Sequence, residues 1–167
     1  MSPDSGVSSP WLLPLIVGVW LVVFPLFWLG ITGLLSIVGG WRDLARSYAT
    51  DPATFSGIRP TNATGSLRRA LLPVNYSNTL LVYVRSDGLG LATWRIFRFK
   101  HPPLFIPWTA VRDCQAGSLF FWRYADIRLH GSSVAIMVGG RAGRAILERW
   151  TSVRVADPGV PAVMYGR

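Results

Sequence analysis

Few side chains in this sequence could carry out covalent chemistry or bind a metal. There are two histidines, His101 and His130, one cysteine, Cys114, and one glutamate, Glu148. A nucleophile needs a base beside it, and a metal site needs three or four suitably spaced ligands. Because no such spacing is present, we expect no catalytic residue, no cofactor and no metal. A histidine brought close to Cys114 by the fold would be the one route to an enzyme.

A glycine-rich segment ahead of a predicted helix is a candidate site for a small anion. Residues 139–144 read Gly-Gly-Arg-Ala-Gly-Arg, without the spacing or the Lys-Ser/Thr ending of a phosphate-binding P-loop. Backbone N–H groups at a helix N-terminus can still hold an anion. The sequence therefore predicts an anion site at Gly140, Arg141 and Arg144, with a plain strand-to-helix turn as the alternative.

Basic and aromatic residues alternate in two stretches of the chain. Residues 95–100 read Arg-Ile-Phe-Arg-Phe-Lys, and residues 121–124 read Phe-Trp-Arg-Tyr. Such stretches suit single-stranded nucleic acid, whose bases stack on the rings. They equally suit an anionic membrane surface, where each basic residue contributes about 1 kcal/mol. In a third interpretation, the rings belong to the core and the basic residues form a solvated face.

One apolar segment near the N-terminus is long enough to cross a membrane. No charged residue lies between Trp11 and Val38, and a helix of that length reaches about 42 Å, against a hydrocarbon core of roughly 30 Å. We predict a transmembrane helix over residues 11–40, preceded by a short external tail over residues 1–10. A buried core helix and a cleaved signal peptide are the alternatives, although the tail lacks the basic residues of a signal peptide.

The charges that flank this segment predict its orientation. Only Asp4 precedes it, whereas Arg42, Arg46 and Arg59 follow it, and basic residues mark the cytoplasmic side. We expect an inner (plasma) membrane protein with its N-terminus outside and its C-terminal domain in the cytoplasm. A domain tethered there meets lipid head groups far more often than nucleic acid, so we expect no nucleic-acid partner. The predicted contacts with anionic lipid are Arg42, Arg46, Arg95, Arg98 and Lys100.

Small residues near the end of the same segment suggest a second kind of contact. Gly30, Gly33, Ser36 and Gly40 could form the close helix–helix interface of a homo-oligomer or of a complex with another membrane protein. Composition alone would also explain them.

The remainder of the chain predicts an α+β domain. Residues 41–65 are predicted as a juxtamembrane helix, which continues the membrane helix, and a loop. Residues 66–150 are predicted as a mainly antiparallel β-roll or barrel closed by a C-terminal helix, because no strand alternates with a long helix. Residues 151–167 are predicted as a strand-like piece and a tail. The predicted elements are strands over residues 67–74, 79–85, 89–97 (extended to 100), 104–114, 119–130 and 133–138, and a helix over residues 141–150.

This pattern resembles the pleckstrin-homology-like (PH-like) fold, in particular the bacterial PH-like modules attached to membrane helices. The resemblance rests on the Asp87-Gly88-Leu89 turn, the Ile106-Pro107-Trp108 strand and the Ala145-Ile146-Leu147 helix. The Trp41-Arg42-Asp43-Leu44-Ala45 segment is also similar to a segment found in small uncharacterised single-pass bacterial membrane proteins. The resemblance covers roughly residues 41–150 and implies no catalytic residue.

Together these features predict a non-enzymatic binding or scaffold module at the anionic leaflet. An accessory subunit of a larger membrane protein complex is the first alternative, and an enzyme is the second.

Overall fold

The computed structural model describes residues 10–69 and 72–156, which form an N-terminal apolar helix, a curled seven-stranded antiparallel sheet and a C-terminal helix. Helix α1 spans Leu12–Val38. Among the described residues it is the one helix long and apolar enough to cross a membrane, judged by length and composition. None of its most apolar stretch is buried against the rest of the chain.

Two glycines separate α1 from the next helix, α2 (Trp41–Tyr48). Gly40 has a φ of +81°, and a Cβ there would lie 2.6 Å from Cγ2 of Val134. A left-handed backbone at such close approach requires glycine. The prediction that α2 continues α1 is therefore wrong. Instead, α2 is a separate helix that buries Trp41 and Leu44 in the domain.

The seven strands form one half-barrel sheet in the order β4-β3-β2-β1-β7-β6-β5. Each paired strand runs antiparallel to its neighbours. Short 3-10 turns lie at Pro52–Phe55, Arg95–Phe97 and Trp108–Ala110. The strands are β1 (Thr61–Arg69), β2 (Leu72–Val84), β3 (Gly88–Thr93), β4 (Leu104–Pro107), β5 (Val111–Leu119), β6 (Trp122–Leu129) and β7 (Val134–Gly139).

Helix α3 (Gly140–Ala156) closes the half-barrel. Its buried residues Ala142, Ile146 and Trp150 recur every four positions, which places them on one helical face. The Trp150 ring lies 6.2 Å from the ring of Trp108, between β4 and β5. The predicted α+β class, with an N-terminal apolar helix, an antiparallel curled sheet and a closing helix, is confirmed.

Some predicted strands differ from the observed ones. The segment predicted as one strand over residues 104–114 is divided after Pro107, which lacks the N–H needed to continue the ladder. Its two parts, β4 and β5, form opposite edges of the sheet. The predicted loop over residues 51–65 contains the start of β1. The buried positions there are the small residues Ala63 and Gly65, so the sequence shows no alternation of large apolar and polar residues. Residues 151–156 continue α3 and are not a strand, and residues 157–167 lie outside the described residues.

Candidate membrane-interface site

Residues 94–100, which we call the 94–100 segment, pack against the end of α1. Strand β3 ends at Thr93, so the prediction that it extends to Lys100 is wrong. The segment instead forms a 3-10 turn. The Phe97 ring lies 5.5 Å from the ring of Trp28, and Oγ of Ser36 donates a 2.6 Å hydrogen bond to the carbonyl oxygen of Lys100. These two contacts join the segment to the last three turns of α1.

The small residues of α1 make this close packing possible. A Cβ at Gly33 would lie 3.5 Å from Cδ of Lys100 and 3.8 Å from Cε1 of Phe99. Thr32, Gly33 and Ser36 are the buried residues of α1. At Gly33 and Ser36 the predicted helix–helix face therefore contacts this chain's own 94–100 segment. In contrast, no described atom lies within 4 Å of a Cβ built at Gly30.

A buried histidine fixes the end of the 94–100 segment to the domain. His101 is 2% exposed and lies in the connection between the 94–100 segment and β4. Its Nδ1 lies 3.1 Å from the carbonyl oxygen of Phe99, which can only accept, so Nδ1 carries the proton. Its Nε2 therefore accepts a hydrogen bond from the Tyr76 hydroxyl, also at 3.1 Å. Burial lowers the pKa of His101 and raises the pKa of Tyr76, so both groups are neutral in the folded protein.

Helix α2 completes this attachment. The Trp41 ring lies 5.2 Å from the ring of His101, and its Nε1 donates a 3.0 Å hydrogen bond to the carbonyl oxygen of Pro102. The buried cluster of Trp41, Tyr76 and His101 thus connects α2, β2 and the end of the 94–100 segment.

The outer surface of the 94–100 segment combines basic and apolar side chains. Trp94, Ile96 and Phe99 are 43%, 65% and 43% exposed. The predicted lipid contacts Arg95 and Lys100 are also exposed, and Arg98 is half-buried. Apolar and cationic groups on one exposed segment match the composition of a membrane–water interface, where rings enter the head-group layer and cations meet phosphates.

The other two predicted lipid contacts lie on α2. Arg42 and Arg46 are both exposed. Nη1 of Arg46 lies 3.3 Å from Asp43, and Nη1 of Arg69 lies 3.1 Å from the other carboxylate oxygen of Asp43. Two arginines thus share one carboxylate, which leaves a net positive charge. No local sequence pattern pointed to Arg69, because only the pairing of β1 with β7 brings it to this position.

The predicted anion-site residues line a separate cleft. Gly140, Arg141 and Arg144 face the β5–β6 hairpin across a cleft of about 740 Å³. The second basic and aromatic stretch of the sequence lines the same cleft, through Trp122, Arg123 and Tyr124. Their sequence separation hid this proximity, which arises because β6 and β7 pair directly before α3 begins.

The cysteine and the two histidines each lie in a different element of the described structure. No group of three or more His, Cys, Asp or Glu side chains among these residues could hold a metal ion. Burial, together with the nearby Asp113 and Asp126, raises the pKa of Cys114 to about 12, so this thiol is protonated. His101 hydrogen-bonds to Tyr76 and to the chain at Phe99, while His130 lies exposed at the β6–β7 turn.

Comparison with known proteins assigns no family to this arrangement. The chain matches no protein-family model, and it matches none of the curated proteins to which it was compared.

Proposed function

We propose that this protein is a single-pass inner-membrane protein whose PH-like cytoplasmic domain is a non-enzymatic binding module for the anionic leaflet. In this proposal α1 crosses the membrane with its N-terminus outside. The observation that carries the proposal is the packing of the 94–100 segment, with its exposed basic and aromatic side chains, against the last turns of α1.

The length of α1 supports the position of the segment at the membrane surface. At 1.5 Å per residue, its 27 residues reach about 40 Å, roughly 10 Å more than the hydrocarbon core. If the core begins near Leu12, it ends about 20 residues later, near Ile31. Trp28 and Ser36, which contact the segment, lie on either side of that boundary. The 94–100 segment would therefore lie in the head-group layer, next to α1.

The contacts of α1 also favour a retained membrane helix over the two alternatives. A core helix of a soluble domain is mostly covered, whereas the most apolar stretch of α1 is not covered at all. A cleaved signal peptide has no role in the mature fold, whereas Thr32, Gly33 and Ser36 are buried against the domain. Removing α1 would uncover the inner side of the 94–100 segment.

The charge of the segment supports an anionic lipid as the ligand. Arg95, Arg98 and Lys100 lie within six residues, and no acidic residue interrupts them. At about 1 kcal/mol per basic residue near an anionic surface, they would together contribute about 3 kcal/mol. Arg42, Arg46 and Arg69, which lie near the α1–α2 junction, would add to this attraction.

A fluorescent label on Ile96 tests the proposal in the full-length chain. Ile96→Cys in a Cys114→Ala background is labelled with nitrobenzoxadiazole and reconstituted in vesicles of phosphatidylcholine alone or mixed with phosphatidylglycerol. We expect the label emission to shift to the blue in the mixed vesicles, because anionic lipid draws the segment into a less polar layer. The matched label position is Arg59→Cys, in an exposed loop, whose emission should be the same in both.

Neutralising the basic residues separates their effect from general binding. In the triple variant Arg95→Gln, Arg98→Gln and Lys100→Gln, the emission of the label on Ile96→Cys should be the same in the two lipid compositions. The control triple variant, Arg59→Gln, Arg112→Gln and Arg123→Gln, removes three exposed charges elsewhere. Its label emission should still differ between the two lipid compositions. Equal emission of labelled Ile96→Cys in neutral and anionic vesicles would contradict the proposal.

A further inference from the structure

We propose that the cleft between the β5–β6 hairpin and the start of α3 binds an acidic, partly apolar segment of a partner protein. The cleft is independent of the lipid contacts proposed above. Strand β7 begins at Val134, next to Gly40 at the α1–α2 junction, and ends at Gly139, which pairs with Tyr124. At about 3.4 Å per residue, Tyr124 therefore lies roughly 17 Å from that junction, and the hairpin tip lies further away, three residues along β6.

The charge of the cleft points to an acidic partner. Of the described residues that line it, three are arginines, Arg123, Arg141 and Arg144, and none is acidic. All three arginines are exposed. Arginine forks bind carboxylates through two parallel hydrogen bonds, which gives orientation as well as attraction.

The aromatic floor of the cleft is held in place by glycines. The rings of Trp122 and Tyr124 lie 5.1 Å apart. A Cβ at Gly139 would overlap Nε1 of Trp122, and a Cβ at Gly117 would overlap the Tyr124 ring. The absence of both Cβ atoms lets the rings lie directly on the backbone of the neighbouring strands. Rings that are already ordered lose little conformational entropy when a partner packs on them.

The hairpin turn beside the cleft exposes two phenylalanines in an unfavourable conformation, and one of them, Phe121, lines the cleft. The turn between β5 and β6 consists of Phe120 and Phe121, because Leu119 pairs with Trp122. Phe120 is 93% exposed, Phe121 is fully exposed, and Phe120 has a φ of +53°. Tight hairpins favour glycine or asparagine at such a position, and a bulky side chain there is strained. Two exposed rings in a turn that disfavours them indicate a role in contact.

A protein segment fits these observations better than a small anion. A phosphate or pyrophosphate would use the arginines but would leave Phe120 and Phe121 in water. The residues that contribute most to protein–protein binding are often arginine, tryptophan and tyrosine, and they occur in clusters. An occupant that carries both carboxylates and apolar side chains would satisfy the whole cleft. Together with the lipid contacts, this cleft would let the domain hold a partner near the membrane.

A binding measurement on the full-length chain in neutral phosphatidylcholine nanodiscs tests this inference. The probe is a fluorescein-labelled peptide in which glutamates alternate with leucines and phenylalanines, followed by fluorescence anisotropy. A peptide with lysines in place of the glutamates is the control. We expect saturable binding of the acidic peptide only, weakened by at least about tenfold in Arg141→Glu with Arg144→Glu, because close charge pairs become repulsive.

Two further variants make the result specific. Phe120→Ser with Phe121→Ser should also weaken binding, whereas Arg59→Glu with Arg112→Glu, which changes the charge equally at exposed sites elsewhere, should not. The triple variant Arg95→Gln, Arg98→Gln and Lys100→Gln should bind the peptide normally. A failure of the lipid proposal is therefore distinguishable from a failure of this one. Thermal unfolding of each variant checks that it folds.

Three results would overturn the inference. The first is no saturable binding at millimolar peptide. The second is an equal loss of binding in the Arg141/Arg144 and Arg59/Arg112 variants. The third is full competition by inorganic pyrophosphate with no effect of the phenylalanine substitutions, which would make the cleft a small-anion site.

Discussion

At the scale of single residues, His101 has the most measurable consequence. It is a neutral, buried base that accepts from Tyr76 and donates to the backbone of Phe99, at the point where the 94–100 segment returns to the sheet. A proton on Nε2 would remove the acceptor for Tyr76 and place a charge in a buried cluster. The pKa of His101 is lowered by burial from its ordinary value of 6.5.

This lowered pKa predicts that stability falls in mild acid. Between the folded-state pKa and 6.5 the unfolded chain binds more protons than the folded chain, so the free energy of unfolding rises with pH across that window. Stability should be complete above pH 6.5 and fall as the pH is lowered below it. Urea unfolding in detergent micelles from pH 8 to pH 5 measures this.

His101→Gln is the matched variant for this measurement, because an amide at this position can donate and accept without titrating. The variant should lose most of the pH dependence in this range. The hydrogen bond with Arg85 lowers the pKa of Asp87 below its ordinary value of 3.8. This carboxyl therefore titrates at a lower pH and does not interfere with the measurement. An unchanged dependence on pH in His101→Gln would show that another group causes it.

At the scale of elements, the contact of α1 with the 94–100 segment depends on the absence of a side chain at one position. Gly33→Leu would place a large side chain where Lys100 and Phe99 now lie, so the segment should separate from α1. Trypsin cleaves after Arg95, Arg98 and Lys100, and cleavage there should become faster in reconstituted vesicles. Mass spectrometry of the fragments identifies the sites.

Gly30→Leu is the control, since a Cβ at Gly30 meets no described atom. It adds the same apolar volume to α1 one turn earlier and should leave cleavage unchanged. Equal cleavage rates in the two variants would argue against the packing described for Gly33.

The same elements show what local sequence could and could not predict. The Asp87-Gly88 turn and the Gly131 turn predicted two hairpins that are present, because glycine at a turn is a local signal. The alternation in residues 95–100 predicted a strand. The segment instead forms a 3-10 turn that packs against Trp28 and Ser36, which lie more than sixty residues away in the sequence. The Phe120-Phe121 turn was missed because its residues are typical of strands.

At the scale of the whole molecule, the sequence predicted the α+β class but not the neighbours of each strand. Hydrophobicity and turn residues predicted an apolar helix, strands and a closing helix. The placement of β4 and β5 at opposite edges follows from pairing β1 with β7, which no local pattern encodes. For the same reason, the sequence identified the basic residues but not which of them lie together in space. Arg69 pairs with Asp43 of α2, and Arg123 lines the cleft with Arg141 and Arg144.

Two surfaces at different ends of β7 follow from that topology. Around α1 and α2, basic and apolar side chains together suit a lipid surface, and at the β5–β6 hairpin the same residue types suit a protein partner. A protein with both would hold a partner at the membrane without acting on it chemically, which is the scaffold role proposed here.

The depth of residue 96 in a bilayer tests the central claim most directly. The nitrobenzoxadiazole label on Ile96→Cys is measured in anionic vesicles that contain a lipid quencher either at the head-group level or deep in the acyl chains. The account predicts strong quenching by the shallow quencher and weak quenching by the deep one, with little quenching by either for the label on Arg59→Cys. Quenching at residue 96 as low as at residue 59 would contradict it, because the 94–100 segment would then lie in water.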